Sequence, residues 1–138
     1  MKRDRLRAAL QALLIALGSV AFVAGFVTVF TGTGSMPGDN PVSPNVESEL
    51  RFYATFWTGF GVLALYAARR PEEETLLLRG LSLFLFLAGF ARVFAWLDAG
   101  RPDTQFLVLM GLELTLPFFI LWAQTRVAAR TTAPAARS

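Results

Sequence analysis

The chain has 138 residues, of which 54% are hydrophobic and only 17% are charged. A soluble domain carries about 25% charged residues, so this composition favours a single membrane domain over a soluble one. The formal net charge of +3 does not indicate nucleic-acid binding, because the basic residues lie at the edges of apolar runs and form no stripe on one face.

The absence of Cys and His from the chain removes several kinds of chemistry. Disulfides and thiol redox relays are excluded, and so are haem and zinc sites built on these ligands and histidine acid–base catalysis. We therefore expect no metal site of this kind, and the sequence names no cofactor.

Four apolar runs are each close to the ~20 residues that a membrane-spanning helix needs. They cover about residues 8–30, 49–68, 76–98 and 104–126. The first is longer than the apolar region of a signal peptide and is followed by no small-residue cleavage pattern, so we expect an uncleaved helix. Ser48 or Asn45 is the expected N-cap of the second helix.

The connections between the runs differ in kind. Residues 31–48 are rich in Gly and Pro and are expected to form a long loop, whereas residues 69–75 and 99–103 are short turns that make consecutive helices antiparallel neighbours. The small polar segment 127–138 is expected to be a disordered tail. No internal repeat is found, so the inverted-repeat signature of many transporters is missing.

Lys and Arg near the helix ends predict the orientation of the chain. They occur at the N-terminus, in and just after the turn 69–75, and in the C-terminal segment: Lys2, Arg3, Arg5, Arg7, Arg69, Arg70, Arg79, Arg126, Arg130 and Arg137. Loop 31–48 has none and turn 99–103 has only Arg101. The sequence therefore predicts an all-α, four-helix transmembrane bundle in the inner (plasma) membrane, with both termini in the cytoplasm.

Glu113 is the deepest ionisable residue, about nine residues or ~14 Å into the fourth run. Pro117, four residues later, has no N–H to give the carbonyl of residue 113. Charges inside membrane spans are costly and usually mark a function or a buried pair. We predict Glu113 as a ligand-binding residue and as the acid–base group of any catalysis; the alternative is a structural carboxylate in a kinked helix.

Arg92, about 9 Å deep in the third run, is the expected partner of Glu113 and the second catalytic candidate. A guanidinium can span the remaining difference in depth and pairs well with a carboxylate. Gly89 on the same face would let another helix approach closely, and Trp96 would stack on the guanidinium or sit at the membrane interface. The alternative is that Arg92 extends outward past Trp96.

Arg51 opens the second helix and shares a face with Thr55 and Thr58. Together with Glu49, Thr55 and Trp96, it completes the predicted set of ligand-binding residues around Arg92 and Glu113. Glu47 and Glu49 also suit the positive end of a helix dipole without any ligand. Asp98, Arg101 and Asp103 flank the outer mouth, where an exposed rim of ion pairs is the simpler interpretation.

Several short motifs resemble a known family. They are Ser48-Glu49-Leu50-Arg51-Phe52-Tyr53-Ala54, Gly89-Phe90-Ala91-Arg92, Gly100-Arg101-Pro102 and Glu113-Leu114. In these segments the chain is similar to small bacterial four-helix membrane proteins grouped as a family of unknown function. The resemblance covers about residues 8–126 and implies the four-helix fold, but no reaction. A looser likeness to compact four-helix membrane folds that bind hydrophobic small molecules is an analogy of fold only.

Three functions remain open. In the first, Arg51, Arg92 and Glu113 line an outward-facing pocket for a membrane lipid or an amphipathic small molecule, with acid–base chemistry if the protein is an enzyme. In the second, the chain is an accessory subunit or homodimer that binds a membrane partner through the small-residue face of Gly18, Ala21 and Gly25, although this face also suits a packing seam inside the chain. In the third, Glu113 serves a proton-coupled carrier.

Overall fold

In the computed structural model of the chain, residues 2–38 and 41–128 are described. Within these ranges the chain forms four α-helices and no strand. They are α1 (Lys2–Thr31), followed by a short 3-10 helix (Gly32–Ser35), α2 (Pro44–Ala67), α3 (Thr75–Ala99) and α4 (Thr104–Ala128). The all-α fold with four helices is thus confirmed. Helix α4 takes in the first two residues of the predicted tail, and residues 129–138 lie outside the described residues.

Three stretches of the described chain are long and apolar enough to cross a membrane: Asp4–Ser35, Thr75–Ala99 and Thr104–Ala128. Large apolar side chains project from their outer faces, and Leu76, Leu97 and Phe118 are 85%, 79% and 64% exposed. These stretches indicate a membrane protein.

Helix α2 starts earlier than predicted. The Oγ atom of Ser43 accepts a hydrogen bond from the backbone N–H of Val46 at 3.4 Å, and Pro44 stands at the start of the helix. The expected N-cap at Ser48 or Asn45 is therefore wrong. A Ser followed by Pro is the stronger start signal, because proline at the first helical position needs no N–H partner and has the φ angle of a helix.

The chain divides into two compact units, residues 12–68 and residues 1–11 with 69–138. In the first unit, glycines bring α1 and α2 into backbone contact. A Cβ atom on Gly25 would lie 2.6 Å from the amide nitrogen of Thr58, and one on Gly18 would lie 3.0 Å from the carbonyl oxygen of Gly61. Ala21, between these glycines in sequence, is also buried. The predicted packing seam is confirmed, and a partner on this face would have to displace α2.

In the second unit, α3 and α4 form an antiparallel pair. Gln124 Nε2 donates a hydrogen bond to Thr75 Oγ1 at 2.6 Å near one end. The rings of Phe86 and Phe118 meet with centroids 5.8 Å apart near the middle. Gly100, with φ of 92°, ends α3 in a conformation that favours glycine. These contacts align α3 with α4 along their length.

The N-terminal turns of α1 also belong to this second unit, and an ion pair holds them. Arg7 binds Glu72 through two parallel hydrogen bonds, Nε to Oε2 and Nη2 to Oε1, each 3.0 Å long. Bidentate arginine–carboxylate pairs of this kind fix orientation as well as adding energy. The turn between α2 and α3 is therefore tied to the start of α1.

Each unit contains the same pattern, Phe-x-Ala-Gly-Phe-x-x-Val-Phe, at residues 22–30 of α1 and 86–94 of α3. The two segments also bury the same positions. When residues 11–30 are aligned with residues 75–94, each aligned pair has the same degree of burial except for two pairs, Leu17 with Leu81 and Ala24 with Ala88. The sequence thus contains a recurring nine-residue pattern, although no internal repeat was expected. In residues 11–21 and 75–85, which precede the pattern, only three aligned positions carry the same residue, and each is a leucine.

Candidate functional site

Glu113 lies on the buried face of α4 with 4% of its surface exposed. Pro117, four residues later, is also buried. Because proline has no N–H, the carbonyl of residue 113 lacks its usual helical partner. The position thus combines a buried carboxylate with a backbone oxygen that the helix leaves without its usual bond.

Arg92 on α3 pairs with Glu113, as predicted. Its Nε–H donates to Glu113 Oε2 at 2.7 Å, and its side chain is 29% exposed. Gly89 makes the approach possible, because a Cβ atom there would lie only 2.9 Å from the Cβ of Glu113. The alternative in which Arg92 extends outward past Trp96 is not the arrangement found.

The pair is joined at one point only. Within residues 2–38 and 41–128, this bond is the one hydrogen bond of either side chain. The four N–H groups on the Nη atoms of Arg92 and the Oε1 atom of Glu113 make no hydrogen bond within these ranges. The side chain of Glu113 as a whole is 5% exposed.

Phe106 supports the guanidinium of Arg92. The Cζ atom of Arg92 lies 5.6 Å from the centre of the Phe106 ring, within the range of a cation–π contact. Trp96, which was predicted to stack on this guanidinium or to sit at the membrane interface, is 40% exposed. A signal for Phe106 was present, because it precedes Glu113 by seven residues, which is two helical turns along the same face of α4.

Arg51 occupies a different cluster, in the first unit. Its Nη1 donates to the carbonyls of Val29 and Phe30 at 2.9 and 2.8 Å, and its Nε and Nη2 donate to Glu47 Oε1 at 3.0 and 2.7 Å. The last carbonyls of a helix have no partner within it. Arg51 therefore caps the C-terminus of α1 from the start of α2, where its positive charge is favourable.

Glu47 completes this cap. Its Oε2 accepts hydrogen bonds from the backbone N–H and the hydroxyl of Thr33, at 3.1 and 2.9 Å. The backbone bond from Thr33, the side-chain bond from Arg51 and the Thr33 hydroxyl together hold the pKa of Glu47 below its ordinary value of 4.5. Gly32, with φ of 56°, gives the chain the tight turn that this arrangement needs.

The remaining predicted site residues lie at exposed positions. Glu49, Thr55 and Trp96 are exposed, and the Thr55 hydroxyl donates to the carbonyl of Phe52 at 2.7 Å. The same holds for the predicted rim of Asp98, Arg101 and Asp103. A ligand role for these residues stays a prediction. In the described part of the chain, no group of three or more Asp or Glu residues is placed to hold a metal ion.

These features define a small all-α protein with membrane-length helices and one open Arg–Glu pair between two of them. The chain belongs to the family described as a domain of unknown function, DUF4345, which matches residues 9–124. The matched range includes Arg51, Arg92 and Glu113. No curated protein and no solved structure matches the chain.

Proposed function

We propose that this protein spans the inner membrane with four helices and binds the polar head of a lipid or another amphipathic small molecule at Arg92 and Glu113. Both termini lie in the cytoplasm in this proposal. The cluster of basic residues at the termini and at the turn 69–75 supports this orientation. An enzyme that requires export, fused after residue 130, should be inactive; activity would contradict the orientation.

The single-point contact between Arg92 and Glu113 supports the binding site most directly. A purely structural arginine–carboxylate pair at this depth would gain from two parallel hydrogen bonds, as Arg7 and Glu72 do elsewhere in the same unit. Instead, Arg92 donates through Nε alone. Polar groups in a membrane interior need partners, so a bound headgroup would supply them.

The polar atoms of the pair that make no hydrogen bond within the described residues indicate the chemistry of this headgroup. The Nη groups of Arg92 can only donate hydrogen bonds, so they suit an anionic or carbonyl oxygen. Oε1 of Glu113 suits a hydroxyl or amide donor on the same head. The apolar part of the ligand would lie along exposed aromatic side chains such as Phe90 and Phe94, which are 48% and 60% exposed.

Arg51 enters this proposal only weakly. Four of its five N–H groups already donate to Glu47 and to the end of α1. If the bound molecule also reacts, Glu113 would donate or accept the proton. Its carboxylate is the acid–base group of the pair, and its Oε1 atom makes no hydrogen bond within the described residues.

Retention of co-purifying molecules by variants tests the binding site. Wild type, Glu113→Gln and Arg92→Met are purified in the same mild detergent, and bound small molecules are measured by native mass spectrometry and extraction. We expect wild type to retain an amphiphile that both variants lose.

Arg7→Met is the matched control, since it removes an ion pair of the same unit that is remote in sequence from Arg92. It should retain the amphiphile at the wild-type level. If the bound molecule survives both Glu113→Gln and Arg92→Met, the charges serve only to fix the register of the helices, and the protein is better described as a structural or accessory subunit.

A further inference from the structure

The recurring pattern gives Arg92 an aligned counterpart in α1. Residues 22–30 and 86–94 align with an offset of 64, so Thr28 of α1 occupies the position of Arg92 of α3. Both side chains are half-buried, and both follow a buried glycine by three residues. The two helices therefore differ in chemistry, but not in burial, at this position.

The second helix of each unit can be aligned in the same way. Gly25 packs against Ala54 and Thr58 of α2, and Gly89 packs against Glu113 of α4. With an offset of 59, three buried positions of α2 and the residue after its end fall on buried positions of α4: Ala54 on Glu113, Gly61 on Ile120, Ala64 on Ala123 and Ala68 on Val127. Two other buried positions, Phe60 and Ala67, fall on the exposed residues Phe119 and Arg126. Ala54 is thus the counterpart of Glu113.

We propose that the chain is a tandem repeat of one helical hairpin, in which only α3 and α4 carry the charged headgroup site. Thr28 and Ala54 mark its uncharged counterpart between α1 and α2. This counterpart keeps the helix packing of the site and lacks the two charges. A chain built in this way binds one polar head at Arg92 and Glu113 and can accept a second head of the same chemistry once the missing charges are supplied.

Installing the missing pair tests the equivalence. Thr28→Arg and Ala54→Glu are made singly and together, and thermal unfolding is followed in detergent. A lone charge inside a membrane helix is costly, so each single variant should lower the unfolding midpoint. If the two positions face each other as Arg92 and Glu113 do, the double variant should recover at least half of the combined loss.

The neutral pair Thr28→Met with Ala54→Gln controls for added bulk and should show little recovery. A charged double variant whose loss equals the sum of the single losses would overturn the proposal. Because the chain has no Cys, introduced cysteine pairs can be cross-linked selectively. This measurement does not require a variant stable enough for an unfolding experiment. The pair Thr28→Cys with Ala54→Cys and the pair Arg92→Cys with Glu113→Cys should be linked by a bifunctional reagent of the same shortest length. If the first pair needs a longer reagent than the second, the proposal is also overturned.

The number of bound ligands depends on the proposed function, whereas the stability coupling does not. Native mass spectrometry should show one bound amphiphile for wild type and two for the Thr28→Arg, Ala54→Glu variant. If wild type binds none while the charged pair still restores stability, the headgroup site fails and the repeat stands. If wild type binds one and the charges do not couple, the repeat equivalence fails and the site stands.

Discussion

Gly89 is the position where packing and the candidate site meet most closely. A Cβ atom there would lie 2.9 Å from the Cβ of Glu113 and 3.0 Å from the Cγ of Leu114. The Cβ of Glu113 cannot move without its backbone, so Gly89→Ala must push α4 away from α3. Overpacking of this kind costs about 1–3 kcal/mol, against a gain of roughly 0.5–1 kcal/mol from replacing glycine inside a helix. We expect a net loss of about 1 kcal/mol, within a range of roughly 0–2.5 kcal/mol.

Gly80 on the same helix is the matched control. A Cβ atom there would meet nothing within 4 Å, so Gly80→Ala should show only the gain in helix propensity, roughly 0.5–1 kcal/mol. Reversible unfolding in detergent measures both variants against wild type. The account requires Gly89→Ala to be less stable than wild type and Gly80→Ala to be at least as stable. Equal stability of the two variants would refute the close approach of α3 and α4.

Three further predictions concern the cap of α1 and the core of α3. The pKa of Glu47 is lowered in the folded state, so its contribution to stability is present above pH 4.5 and is lost as the pH falls through the lowered pKa. The difference in unfolding midpoint between wild type and Glu47→Gln should therefore shrink on acidification. A difference that stays constant with pH would contradict this. Arg51→Met should cost about 1–2 kcal/mol because it uncaps α1. Arg70→Met removes the exposed ion pair between Arg70 Nη1 and Glu73 Oε2, 3.3 Å apart, and should cost roughly 0–1 kcal/mol. Equal costs in unfolding experiments would contradict the capping role. Ser82→Ala should leave stability unchanged or raise it by about 1 kcal/mol, because the buried hydroxyl has no partner among the described residues; a clear loss of stability would show that the hydroxyl is bonded.

The pairing of Arg92 with Glu113 could be predicted from the sequence because both charges lie inside apolar runs at similar depth. A helix rises by a fixed distance per residue, so depth follows from counting. Gly89 on the same face as Arg92 added the reason for close approach, and the structure shows that contact. The all-α fold could be predicted from the length of the apolar runs, because runs of about 20 residues favour membrane-spanning helices.

The hydrogen-bond partners of Arg51 could not be predicted from the sequence. Its partners include the carbonyls of residues 29 and 30, and these meet it because the chain turns back through Gly32 at a positive φ angle. The path of a long loop rich in Gly and Pro does not follow from periodicity. The start of α2 was misplaced for a related reason, because the apolar run begins after the helix does.

The recurring pattern is short, and nine of the twenty aligned positions in residues 11–30 and 75–94 carry the same residue. Gly18 and Ser82 occupy equivalent buried positions although their side chains differ. Burial in the folded chain makes the equivalence visible where residue identity does not.

An experimental structure of the full chain in lipid nanodiscs tests the central claim most directly. The account predicts density for a polar headgroup within about 2.7–3.2 Å of the Nη atoms of Arg92 or of Oε1 of Glu113, while the bond from Nε to Oε2 persists. A closed pair, with both Nη groups of Arg92 bonded to Glu113 or to backbone carbonyls and no density beside them, would contradict it.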